Sequence, residues 1–131
     1  MSEQENKQLV QRGGYDAFAA GDIETVMSLF DDEVEWVQPG DSVVSGTYHG
    51  KAELMEYMGR IGQKAPTIRV EQMIAEGDTV VALTEITVDG HTSRDADVYT
   101  IRDGKTTAVR IHGDTALMEQ VYGKKKELAA G

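Results

Sequence analysis

The chain has 131 residues, 40% hydrophobic and 27% charged, with 13 Lys and Arg against 23 Asp and Glu for a net charge of −10. That is one domain's length rather than two, and enough for a core that needs no staples. An acidic surface repels phosphate backbones and argues against nucleic acid, and the lack of cysteine removes disulfides, thiol nucleophiles and thiolate metal sites.

Apolar runs such as residues 80–83 fall far short of the roughly 20 residues that span a bilayer, so no membrane partner is expected. The opening stretch has neither the basic flank nor the apolar core of a secretory leader, which points to a cytoplasmic protein. A single domain over 1–131 is expected, with residues 1–6 and 124–131 as frayed tails; Lys124-Lys125-Lys126 then reads as a solvated end. From Leu9 to Gly21, Val10, Gly13, Gly14, Ala17 and Phe18 recur at helical spacing. Two adjacent glycines inside a helix each cost about 1 kcal/mol relative to alanine, so either the helix is weak there or something approaches its backbone closely. Gly21-Asp22 ends that helix and caps a second, with Ile23, Val26, Met27 and Phe30 on one face and Asp31-Asp32-Glu33 closing it.

Residues 34–38 alternate as a strand with Val34, Trp36 and Gln38 on one side, and Pro39-Gly40 opens a loop that runs to Gly50. A third helix follows from Lys51 to Ile61, bearing Leu54, Met55, Tyr57, Met58 and Ile61 along a broad apolar stripe. The period then changes from 3.6 to 2. Strands are predicted over 68–76, 79–88, 93–102 and 106–112, separated by Gly77-Asp78, Asp89-Gly90 and Asp103-Gly104, which are strong hairpin signals. Asp114 caps a last helix from Thr115 to Tyr122. This order predicts an α+β layer: N-terminal helices packed on a strongly curved, mostly antiparallel sheet.

Three segments carry a family resemblance: residues 20–34 (AGDIETVMSLFDDEV), 46–54 (GTYHGKAEL) and 99–105 (YTIRDGK). They resemble SnoaL-like, ketosteroid-isomerase-related proteins, in the family's order and across nearly the whole chain. The resemblance implies a conical cavity with apolar walls, a homodimer formed through the outer face of the sheet, and no cofactor. It does not fix an activity. In the isomerase branch the general base is an aspartate before a proline, and this chain has Gln38 before Pro39, an amide that abstracts no proton. The branch's tyrosine donor matches Gly14, one residue short of Tyr15, and a one-residue step turns a helical side chain by about 100°. Its second donor, an aspartic acid kept neutral by apolar surroundings, matches Asp97. The water-activating aspartates and arginine of the epoxide-hydrolase branch match Ile86, Val88 and Ile111. Steroid isomerase and epoxide hydrolase machinery are thus both expected to be absent. The cyclase branch uses cavity aspartate, sometimes with histidine, which Asp97 and His112 resemble.

Whether Asp97 and His112 meet depends on the hairpin at Asp103-Gly104. A two-residue turn carried through regularly puts Asp95, Asp97, Tyr99, Arg110 and His112 on one face. An extra residue in a bulge sets Asp97 opposite Ile111 and Tyr99 opposite Val109, and turns His112 outward. The family comparison favours the second register. Asp97 is then expected on a cavity face with Trp36, Gln38, Thr84, Tyr99, Val109, Ile111 and Tyr57. There it is either a desolvated acid or base, or a structural group paired with a buried arginine or hydroxyl. His49, His91 and His112 show no metal-ligand spacing, so no metal is expected. The functional expectation is a small hydrophobic or half-polar ligand in the cone. Its rivals are a cofactor-free isomerase, cyclase or lyase using Asp97, and a non-catalytic dimeric scaffold.

Overall fold

The structure, a computed structural model, describes residues 2–125. Helix α1 (Glu3–Val10) runs through a π-helical turn (Gln11–Asp16) into α2 (Ala17–Ala19), and α3 (Ile23–Ser28) follows a break at Gly21-Asp22. The Ser2 hydroxyl accepts from the Glu5 N–H at 3.1 Å, and the Glu5 carboxylate accepts from the Ser2 N–H at 3.2 Å. This capping box draws residues 3–6 into α1 with Asn6 buried, where the sequence suggested a frayed end. At the far end, Lys124 bridges to Ser42 and the Lys125 N–H donates to the Asp41 carbonyl at 3.0 Å. Those two lysines are tied to a loop rather than frayed; residues 126–131 lie outside the described residues.

The remaining elements are β1 (Phe30–Gln38), β2 (Gly46–His49), α4 (Gly50–Gly62), β3 (Thr67–Glu76), β4 (Thr79–Val88), β5 (His91–Arg102), β6 (Lys105–His112) and α5 (Thr115–Tyr122). They form one six-stranded sheet in the order β2-β1-β6-β5-β4-β3, antiparallel except where β1 meets β6. The α+β expectation holds, with two corrections. Phe30 starts a strand rather than ending a helix, because the Leu29 carbonyl accepts from the Thr106 N–H at 2.8 Å and pins the chain to β6. Asp31-Asp32-Glu33 then forms an irregular turn within β1, where the Asp31 carboxylate takes the Glu33 N–H at 3.0 Å. Residues 46–49, expected as loop, pair with β1 as an edge strand.

The β5–β6 hairpin combines both predicted registers. Arg102 pairs with Lys105 around Asp103 (φ 51°) and Gly104 (φ 76°), as in a two-residue turn with both central residues left-handed. An extra residue then enters β6, since Ile101 faces Thr106 but Thr100 faces Ala108. The bulge leaves Tyr99 opposite Val109 and Asp97 opposite Ile111, and carries His112 to the exposed outer face. With further irregularities in β1 and β3, it bends the sheet over the helices. The core lies on that inner face, among Val10, Val26, Val34, Leu54, Val80 and Ile101.

Candidate functional site

Between the helices and the inner face of the sheet lies a hollow of about 100 Å³. Its walls are mostly apolar: Phe18, Leu29 and Phe30 from the N-terminal half, Met58 and Ile61 from α4, and Ile86 and Ile111 from the sheet. Ile86 and Ile111 stand where the epoxide-hydrolase comparison would require charged groups. Asp97 projects into this hollow and is 8% exposed.

Asp97 reaches its partners through the π turn. The Ala17 N–H donates to the Arg12 carbonyl five residues back, so this turn holds one residue more than a regular helical turn. Tyr15 lies within this turn, and its ring faces the sheet. The Tyr15 hydroxyl donates to Asp97 Oδ2 at 2.5 Å, and the Tyr99 hydroxyl donates to the Tyr15 oxygen at 2.8 Å. The expectation that Tyr15 points away is therefore corrected. A Cβ on Gly13 or Gly14 would lie 3.7 or 3.4 Å from the Leu29 side chain, ordinary van der Waals contact, so close approach does not account for the paired glycines.

Burial pushes the Asp97 carboxyl up to about 7; the Tyr15 hydrogen bond opposes that shift and the Asp95 charge adds to it. Both tyrosines are held protonated, chiefly by their own desolvation. Among the described residues no arginine pairs with Asp97, and its Oδ1 takes no hydrogen bond from them. One half of the structural alternative is realised, since a hydroxyl partners the acid, yet the acid still borders open volume.

The opposite wall is built on β1 and α4. The Tyr57 hydroxyl, 6% exposed as a residue, donates to Gln38 Oε1 at 2.7 Å. Trp36 packs against Tyr57 with ring centroids 5.2 Å apart and against Phe30 at 6.0 Å. Its indole nitrogen is buried and makes no full hydrogen bond among the described residues.

Of the residues expected at the site, Trp36, Gln38, Tyr57, Thr84, Asp97, Tyr99 and Ile111 all border the hollow. Val109 does not: it is fully buried on β6 between its strand partners Trp36 and Tyr99. His112 is outside the site, on the outer face opposite Ala96. Sequence reasoning missed Phe18, Leu29, Met58 and Met118 as walls, because helical periodicity marks a residue as inward without saying whether it meets core or void. Asp95 also borders the hollow, two residues from Asp97 on the same strand face, and burial raises its carboxyl as well. Among the described residues no three His, Asp or Glu side chains gather closely enough to hold a metal ion, and no helix is long and apolar enough to cross a membrane.

Solved structures share this arrangement of helices and sheet. Bal32a, from a soil-derived mobile gene cassette, superposes with a TM-score of 0.84 at 24% identity, covering 92% of this chain and 98% of that one. TerC, co-crystallized with polyporic acid, gives 0.77 at 26% identity over 89% and 97%. A putative SnoaL-like polyketide cyclase from Jannaschia sp. CCS1 gives 0.76 at 17% identity over 92% and 93%. No curated protein sequence matches significantly. The SnoaL-like domain model matches residues 12–109, a span that holds Tyr15, Gln38 and Asp97, and on that match the chain belongs to the SnoaL-like family.

Proposed function

We propose that the protein binds a compact, half-polar organic molecule in this hollow, held against Asp97. The carrying observation is a buried carboxyl, shifted to about 7, with one oxygen uncommitted beside apolar walls. An engineered apolar cavity of about 150 Å³ takes a benzene ring, so about 100 Å³ suits a single small ring unless the walls move. The similar TerC was co-crystallized with polyporic acid, an organic molecule, which supports an organic ligand for this chain. The test is a thermal-shift panel of phenols, cyclic diketones and polyporic acid at pH 6 and pH 8. A ligand that binds the native state raises Tm, and its effect differs between the two pH values because Asp97 changes charge between them. A flat response across the panel at saturating concentrations rejects the reading.

One observation favours a catalytic reading as well. A carboxyl near 7 exchanges protons at neutral pH, the property a cofactor-free isomerase, cyclase or lyase needs. If turnover of any bound molecule is found, Asp97→Asn abolishes it while binding persists; full retention of turnover excludes the role.

We also propose that two copies pair through the outer sheet face in the cytoplasm. Ile74, Val81 and Val98 form a continuous apolar rung there, with Ile74 46% exposed, flanked by Leu83 and Ala96. Sedimentation of Val81→Glu tests this: conversion of a dimer to a monomer supports it, and an unchanged mass counts against it.

A further inference from the structure

We infer that Trp36 and Gln38 form an acceptor-binding anchor that makes the ligand a carbonyl compound, its oxygen held by the Trp36 indole N–H and the Gln38 amide. This rests on the reading of the hollow as a ligand site and sharpens it. The indole nitrogen is a donor only, and burying it unpaired forfeits the hydrogen bond it would make with water. Trp36 is 7% exposed, borders the hollow, and its Nε1 makes no full hydrogen bond among the described residues. The Tyr57 hydroxyl lies against the indole N–H, which partly offsets the upward push of burial on that hydroxyl, but the contact falls short of a full hydrogen bond. Tyr57 is engaged elsewhere: it donates to Gln38 Oε1, which fixes the amide and leaves its two N–H groups without a described acceptor. Among the described residues, the Gln38 amide N–H groups have no acceptor and the indole N–H has no full hydrogen bond, so donors gather on one wall.

Sheet register places this anchor relative to the acid. Trp36 pairs with Val109, which pairs with Tyr99, while Ile111, one rung further, pairs with Asp97. Continuing the parallel register of β1 and β6 sets Gln38 beside Ile111. Gln38 and Asp97 therefore flank Ile111, two strand spacings or about 10 Å apart along the backbone, with side chains on the same concave face. A small ring lying over Ile111 points its carbonyl oxygen to β1 and its proton-exchanging atom to Asp97. The acid does not serve the carbonyl oxygen in this arrangement.

The experiment uses cyclopentanone and its isostere methylenecyclopentane, which replaces C=O by C=CH₂. The chain has a single tryptophan, so a ¹H–¹⁵N spectrum shows one indole cross-peak. Titrating cyclopentanone into the wild-type protein is expected to move that peak downfield, whereas methylenecyclopentane moves cavity methyl signals but leaves the indole proton unbonded. Trp36→Phe is expected to weaken the ketone about fivefold, the worth of one net hydrogen bond, and to leave the hydrocarbon unchanged. Gln38→Met gives a second reading of the same loss without altering the aromatic wall. Equal binding of the two probes, with no selective loss in either variant, overturns the anchor while leaving the hollow as a binding site. Failure of both probes to perturb any cavity signal overturns the binding reading and this inference together.

Discussion

The two polar walls of the hollow differ in how their hydrogen bonds are spent. On β5, hydroxyls run in series: Tyr99 donates to Tyr15, and Tyr15 donates to Asp97. On β1, the donors of Trp36 and Gln38 make no full hydrogen bond to an acceptor among the described residues. Buried polar groups are normally satisfied, so the first wall can be explained by the fold alone and the second cannot. The first wall stores a titratable proton, and the second offers fixed donors that titrate at no ordinary pH.

The largest expected effect follows from the acid. Its native value of about 7 lies above the ordinary 3.8, so the native state holds a proton that the unfolded chain releases. The stability this contributes is complete below about pH 4 and lost as pH rises through about 7, on the order of 4 kcal/mol in total. Asp97→Asn should flatten that part of the stability–pH curve, read by urea denaturation at pH 4, 6 and 8. A wild-type curve that rises over the interval would contradict the assigned shift.

Tyr15→Phe comes next. It leaves the Tyr99 hydroxyl without an acceptor and Asp97 without its donor, and should cost about 1–3 kcal/mol. Because the Tyr15 bond holds the Asp97 value down, its loss should also move that carboxyl above about 7 in a carbon-detected NMR titration. Tyr57→Phe is gentler, since it releases Gln38 Oε1 without stranding a charge; about 1 kcal/mol is expected, with no change in the Asp97 titration. If Tyr57→Phe shifts the acid as far as Tyr15→Phe does, the walls are one network and the contrast fails. His112→Ala, on the exposed outer face, should change monomer stability by less than about 0.5 kcal/mol.

Much of this architecture was legible in the residues. Asp-Gly pairs at 89–90 and 103–104 mark hairpins because both positions are left-handed, and alternation in β4 and β5 separates the inner from the outer face. The short edge strand at 46–49 escaped notice because three residues between two glycines carry too little alternation to be told from loop. The capping box at Ser2 and Glu5 was readable and would have placed the start of α1. At the site, Trp36, Gln38, Tyr57 and Asp97 were reachable through strand parity and the family comparison. Tyr15 was only a possible member, because periodicity counts 3.6 residues per turn and has no means of registering a single surplus one. The same blindness applies to the β6 bulge, where a correct turn length still leaves the downstream parity undecided.

The π turn has a consequence for how this chain tolerates length change. Deleting either Gly13 or Gly14 would let the segment wind as ordinary α-helix and deliver the same phenol to the same carboxylate, now with four-residue ladder bonds. Insertion of one more glycine has no such refuge and would rotate the ring off the acid. Tolerance to shortening and intolerance to lengthening at one spot would identify the surplus residue as spacing rather than chemistry.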